Sequence, residues 1–137
     1  MKNISLVQIL LTITSAVFII TGCQYSSVPV QIVSDDDYIE LKWDPPSSDK
    51  LNRFGDVVYY KISYKTHNSD TAWKCLDLIL AEENPSFTVY NRDIGNGAFD
   101  FAITAIYSNN RQSVIHTSTD VFADPPGGWY LLWMRPE

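Results

Sequence analysis

The stretch AFDFAITAIY, residues 98–107, decides the fold class of this 137-residue chain. Apolar residues occupy alternate positions along it, so that one face would carry Phe99, Phe101, Ile103 and Ala105. Side chains of a β-strand point alternately to its two faces, and a period of two therefore predicts a strand with one buried face. The stretch is predicted to be a core strand of a β-sheet.

Two segments upstream carry the same period. YIELKWDPP (38–46) places Ile39, Leu41 and Trp43 on one face before a proline pair ends the strand, and VVYYKISYK (57–65) alternates in the same way. Short strands separated by turn-forming residues at this spacing predict an all-β domain, either a sandwich or a barrel.

The remaining segments give weaker signals. Further short strands are predicted at 28–33, 85–90 and 112–122. TAWKCLDLIL (71–80) is ambiguous between a helix and a strand, and we favour a strand for its first half. The polar stretch SSDKLNRFGD (47–56) and the glycine-containing NRDIGNG (91–97) are predicted to be loops.

Together these segments resemble a fibronectin type III domain. In that family a tryptophan and prolines close the second strand, a Tyr-x-aliphatic-x-Tyr pattern marks the third, and an alternating sixth strand leads into a turn and a serine. The matching residues are Trp43, Pro45, Tyr60, Ile62, Tyr64, Phe101, Ile103, Ala105 and Ser113. The resemblance covers residues 28–123 and implies an immunoglobulin-like β-sandwich of about seven strands, with Trp43 at the centre of its core.

The chain departs from this family at the corner before the sixth strand. Where the family has a tyrosine whose hydroxyl bonds back to the backbone, this chain has Phe99. We therefore expect the loop at 91–97 to be held in another way. In the following turn Asn109 and Asn110 stand in place of the usual glycine, and asparagine tolerates the same left-handed geometry.

The N-terminus has the layout of a secretory signal. Lys2 precedes an apolar run from Ile4 to Ile20, and small residues follow before Cys23. Ile20-Thr21-Gly22-Cys23 resembles the bacterial lipobox, which implies a lipid attached to the Cys23 thiol and cleavage just before it. Residues 1–22 would then be a lipoprotein signal peptide, and 23–33 a lipidated tether with a possible first strand. The alternative is an uncleaved anchor helix with an incidental thiol.

Charge and cysteine content limit the partners. Without Lys2 the chain keeps nine of its ten basic residues against 16 acidic ones, which argues against nucleic acid because phosphates would be repelled. The predicted membrane contact is the lipid anchor at Cys23. The second cysteine, Cys75, lies between Trp73 and Leu76 and is expected to be a small buried residue in a strand.

We find no pattern that predicts an active site, a cofactor or a metal. His67 falls in a predicted turn and His116 in a predicted strand, and their spacing gives no reason for either to meet a carboxylate. The run Asp35 to Asp37 is expected to be a solvated turn, because three consecutive residues cannot direct enough oxygens at one calcium ion. The chain is predicted not to be an enzyme.

The C-terminal stretch WYLLWMRPE follows two glycines and is apolar on both faces. It belongs to residues 124–137, predicted to be an aromatic extension beyond the family-like domain. Two alternatives remain open. The segment could fold back along an edge of the sandwich, or Trp129, Tyr130 and Trp133 could anchor a protein or carbohydrate partner, since such residues are frequent in binding hot spots.

These features predict a lipid-anchored, non-enzymatic binding or scaffold module at the bacterial cell envelope. The alternative is an accessory subunit of an envelope enzyme or export complex, docked through the C-terminal aromatic segment. Gln24 follows the predicted lipidated cysteine, which resembles the sorting pattern of outer-membrane lipoproteins where the cell has two membranes.

Overall fold

The computed structural model describes residues 28–120 and 127–136. Cys23, the predicted signal peptide and residues 24–27 of the predicted tether lie outside these residues. Within them the chain is mostly β-structure, which confirms the predicted all-β class. Its elements are β1 (Val30–Ser34), β2 (Tyr38–Lys42), α1 (Ser48–Phe54), β3 (Val57–Thr66), β4 (Lys74–Leu80), β5 (Ser86–Tyr90), α2 (Asn91–Ile94), β6 (Gly97–Tyr107), β7 (His116–Thr117) and β8 (Trp129–Trp133).

Two sheets enclose the core. The main sheet has the order β1-β8-β6-β3-β4, with β7 also paired to β6, and the small sheet is the antiparallel pair of β2 and β5. β1 runs parallel to β8, whereas β8 and β3 both run antiparallel to β6. Buried side chains from both sheets form one apolar cluster, so the sheets pack face to face.

The core is built around the strands whose alternation predicted it, but Trp43 is not its centre. The largest fully buried side chains are Trp133, Leu41, Ile62, Leu131 and Val89. Trp43 is half-buried and packs edge-on against Tyr60, with ring centroids 5.2 Å apart. Because β2 ends at Lys42, Trp43 lies beyond the strand and reaches only the rim of the core.

Strand β6 is buried on both faces, which its alternation alone did not predict. Phe99 and Phe101 face the small sheet as expected, yet Asp100, Ala102 and Thr104 on the opposite face are also buried. β6 lies in the middle of the main sheet, paired with β3 on one side and with β7 and β8 on the other. Long neighbouring side chains therefore cover even its outward positions.

Two stretches differ from the loop and the strand predicted for them. The stretch 91–97 contains α2, and only His116–Thr117 forms a strand in the described part of 112–122.

Three further local predictions need correction. The stretch 47–56 is not a loop throughout, because Ser48–Phe54 forms α1, which Gly55 ends with a φ of 87°. The strand predicted for the first half of 71–80 lies later, in β4. Cys75 is in that strand but exposed, since it pairs with Ser63 on the face turned away from the core.

The corner that lacks a tyrosine is held by Asn91. The backbone N–H of Asn91 donates to the Asp37 carbonyl oxygen over 2.8 Å. Its buried side-chain amide donates to the Gly95 carbonyl oxygen and to Asn96 Oδ1, each over 3.1 Å. Asn96 in turn exchanges two hydrogen bonds with the backbone of Arg135. These bonds tie the α2 turn to the segments that precede β2 and follow β8.

The C-terminal segment is a strand of the main sheet rather than an extension beyond it. β7 and β8 both pair with β6, and the backbone N–H of Trp129 donates to the Ser118 carbonyl oxygen, which joins the two strands into one line. The chain leaves this line after Ser118 and returns at Gly128. A side chain at Gly127 would collide with the Asp120 carbonyl group, so glycine is required where the chain closes on itself. Residues 129–133, predicted to lie in an extension after residue 123, therefore belong to the main sheet.

Candidate functional site

The three aromatic residues proposed as an anchor do not form an exposed surface. Trp129 is 4% exposed and Trp133 0% exposed, and both belong to the core cluster. The indole N–H of Trp133 donates to the Asp36 carbonyl oxygen over 2.7 Å. The segment folds back, so neither tryptophan ring can receive a partner while β8 stays paired. The anchor alternative is corrected for these two residues.

Tyr130 points to the other face of β8 and belongs to a network that joins three strands and the residue after β3. Its ring stacks on the imidazole of His67, with centroids 3.7 Å apart and planes 6° from parallel. The Tyr130 hydroxyl donates to Gln31 Oε1 over 2.8 Å. These contacts join β8 to β1 and to the residue that follows β3.

His67 also meets a buried carboxylate, which its sequence spacing did not suggest. Its Nδ1 lies 2.7 Å from Asp100 Oδ1, and both side chains are largely buried. The two residues are 33 positions apart, and only the pairing of β3 with β6 brings them together. The signal that could have found them is an acidic residue at an outward position of a core strand.

A histidine oriented by a carboxylate supplies two parts of a catalytic triad, but it also needs a nucleophile at its second nitrogen. Among residues 28–120 and 127–136, no serine, threonine or cysteine side chain hydrogen-bonds to His67. The arrangement instead satisfies a buried carboxylate and covers it with an aromatic ring. On the outer face of the main sheet, His67 thus links Asp100 of β6 to Tyr130 of β8.

The same outer face carries an apolar patch near the edge strand β4. Tyr59 pairs with Leu80, and Lys61 pairs with Leu78. Leu80 is 66% exposed, Leu78 48%, and Tyr59 also exceeds a third. We call Tyr59, Leu78 and Leu80 the outer-face patch. The carboxylate of neighbouring Asp77 accepts a hydrogen bond from the Leu78 backbone N–H over 2.7 Å, so this backbone donor of β4 is already paired.

The acidic run beside β2 is used structurally. Asp37 forms an ion pair with Arg135 over 2.7 Å, while the carbonyl oxygens of Asp36 and Asp37 accept the bonds from Trp133 and Asn91. No group of three or more metal-ligating side chains occurs in the described part of the chain. None of its helices there is long and apolar enough to span a bilayer.

Comparisons with known proteins add no assignment. No model of a known protein family matches the sequence, and no curated protein matches it significantly.

Proposed function

We propose that this protein is a lipid-anchored binding or scaffold module of the bacterial cell envelope, without enzymatic activity. The observation that carries the proposal is Ile20-Thr21-Gly22-Cys23 at the end of an apolar run preceded by Lys2. Several acyl chains on one cysteine would anchor it stably, whereas a single chain holds only weakly. Gln24 favours the outer membrane as the destination in a cell that has two.

The strand arrangement supports a sandwich of the fibronectin type III kind. β2 pairs with β5, while β3, β6 and β8 are neighbours in the other sheet. This is how immunoglobulin-like folds place their B and E strands against their C, F and G strands. The first strand differs, since β1 joins the main sheet beside β8. The last strand is also divided into β7 and β8, which gives eight strands in the described residues.

The outer-face patch is the surface that we propose for a partner. Its exposed leucines and tyrosine form a cross-strand apolar group beside Lys61, at an edge of the sheet. We favour a protein partner over a carbohydrate, because the two tryptophans best suited to stack on sugar rings are in the core. An accessory subunit of an envelope complex remains the second candidate, and its docking would use this patch rather than the C-terminal aromatic segment.

Replacing Cys23 tests the anchor. The Cys23→Ser variant is expected to lose acylation, so that the protein accumulates as uncleaved precursor or is released from membranes. Mass spectrometry of the N-terminal peptide and fractionation of cells measure both effects. The Cys75→Ser variant is the matched control and should stay in the membrane fraction. An unmodified Cys23 in the parent protein, or a peptide that reads through from Ile20, would contradict the lipoprotein assignment.

Charges on the outer-face patch test the binding role. The double variant Leu78→Glu, Leu80→Glu is expected to fold like the parent, because both side chains are exposed, but to lose its crosslinked partner in intact cells. Met134→Glu is the control, since Met134 is also an exposed apolar residue near one end of the main sheet. If the patch variant retains the partner that the parent captures, the partner binds elsewhere.

A further inference from the structure

The short chain between Cys23 and β1 limits how far the domain can lie from its lipid. Val30 is seven residues after Cys23. An extended chain spans about 3.3–3.6 Å per residue, so Cys23 reaches at most about 25 Å from Val30. A domain tethered in this way cannot move far from the bilayer.

The direction of β1 shows toward which end of the sandwich the described chain leads at Val30. β1 is parallel to β8, and β8 is antiparallel to β6, so β1 and β6 run in opposite directions. The chain just before Val30 therefore leads toward the end of the sheet at which β6 ends. Val30 pairs with Trp129, whose ring stacks on Phe101. From Phe101 to Tyr107, β6 continues for six residues, or about 20 Å at strand spacing. The greatest possible reach of the tether, about 25 Å, is therefore just enough to pass this part of the domain.

The end reached in this way is formed by α1 and the turn after β6. Ser108 donates its backbone N–H to the Asp56 carbonyl oxygen, and the Phe54 and Tyr107 rings lie 5.5 Å apart. Lys50 and Arg53 in α1 and Arg111 in the turn are exposed. Val114 and Ile115 are also exposed, and they follow the turn beside β6, between Ser113, which is bonded to Ala105, and His116, which pairs with Ile103. We call these five exposed residues the basal surface.

The basal surface combines apolar and cationic side chains. Val114 is 75% exposed and Ile115 42%, directly after Ser113, which is bound to Ala105 through its backbone N–H and its hydroxyl oxygen. The guanidinium groups of Arg53 and Arg111 lie 5.4 and 6.0 Å from the Phe54 ring centroid. Apolar side chains backed by cations suit a lipid interface, where the chains enter the acyl boundary and the cations meet phosphates.

The charged residues at this end are distributed unevenly between the two edges of the main sheet. Lys50 lies close enough to His116 to help lower its pKa, after the larger effect of partial burial and against the opposing effect of Asp120. Asp49 and Asp56 offset part of the positive charge of this side. Glu82 and Glu83 lie beyond β4, at the edge of the main sheet opposite β1. The edge nearest the tether is therefore the less acidic one.

We propose that the basal surface rests on the phospholipid bilayer that holds the Cys23 lipid, with Val114 and Ile115 inserted at the interface. This inference depends on the proposed lipidation and extends it to an orientation. The outer-face patch then lies on the outer face of the main sheet near its membrane end, since Tyr59 pairs with Ile106 close to the end of β6. The α2 corner with Met134 points away from the membrane.

Labels at the two ends of the domain test this orientation in the full-length protein. In a Cys75→Ser background, Val114→Cys and Met134→Cys each supply one free thiol for an environment-sensitive fluorophore, because the lipidated Cys23 does not react. The acylated protein is placed in vesicles of phosphatidylethanolamine and phosphatidylglycerol that contain brominated lipid. We expect a blue-shifted label at position 114 that loses fluorescence to the brominated lipid, and an unshifted label at position 134 that does not.

The outcomes separate the two proposals. If mass spectrometry shows an acylated Cys23 but the label at 114 is quenched no more than the label at 134, the orientation is wrong and the lipoprotein assignment stands. If Cys23 carries no lipid and the protein does not sediment with the vesicles, both proposals fail. Stronger quenching at 134 would show that the domain rests on its opposite end.

Discussion

A chain that ends at Gly128 is expected not to fold. This truncation removes β8, which lies between β1 and β6 and pairs with both. Three buried side chains are lost with it, Trp129, Leu131 and Trp133. Each contributes about 1.5–3 kcal/mol or more on burial, so their sum is comparable to the roughly 5–15 kcal/mol that stabilises a whole domain. β1 would also lose its only partner strand in the described residues.

Circular dichroism and thermal unfolding of a soluble domain starting at Gln24 measure this effect. The truncated domain should lack a cooperative transition and should precipitate, since its core faces are bare. A matched control ends at Arg135, which keeps β8 and the ion pair with Asp37. If the chain ending at Gly128 melts like this control, β8 is not part of the domain, and the C-terminal segment is free to bind a partner.

The Trp133→Ala variant is expected to lose about 3–5 kcal/mol of unfolding free energy, the usual range for a buried tryptophan in a core. Trp133 is fully buried, and its indole N–H satisfies the Asp36 carbonyl oxygen. The substitution therefore leaves both a cavity and an unpaired acceptor. Urea unfolding followed by circular dichroism measures the loss.

Two further substitutions make this result specific. Met134→Ala changes the next residue, which is exposed, and should leave the unfolding free energy within about 0.5 kcal/mol of the parent. Trp43→Ala should cost less than Trp133→Ala, because Trp43 lies at the rim of the core. An equal or larger loss for Trp43→Ala would contradict the position of Trp43 at the rim and restore it as the centre of the core.

Alternation predicted the strands because a side chain in a half-buried strand has only two directions available. Ile39 and Leu41 in β2, Tyr60 and Ile62 in β3, and Phe101 in β6 all face the core as their spacing predicted. Because one face of such a strand meets solvent and the other meets the core, polar and apolar residues alternate along its sequence. The all-β class could therefore be predicted without any knowledge of strand order.

Where a strand is covered on both faces, or lies at an edge, the local pattern fails. Trp129 and Trp133 alternate with Tyr130 and Leu132, and this apolar character did not distinguish a central strand from an exposed anchor. Cys75 looked buried among apolar neighbours, yet β4 is an edge strand that shows this position to solvent. Burial of these residues depends on which strands lie beside them.

The composition and order of residues predicted a tethered, acidic β-domain, because hydropathy, charge and side-chain period act over a few neighbouring positions. The meeting of His67 with Asp100, the burial of Trp133 and the direction in which β1 leaves the sheet were decided by strand order and register alone. Those contacts join residues tens of positions apart. Bringing such residues together costs chain entropy, and the burial of the whole core offsets that cost. No local pattern contains the balance between chain entropy and core burial, so the direction of β1 appears only in the folded sheet.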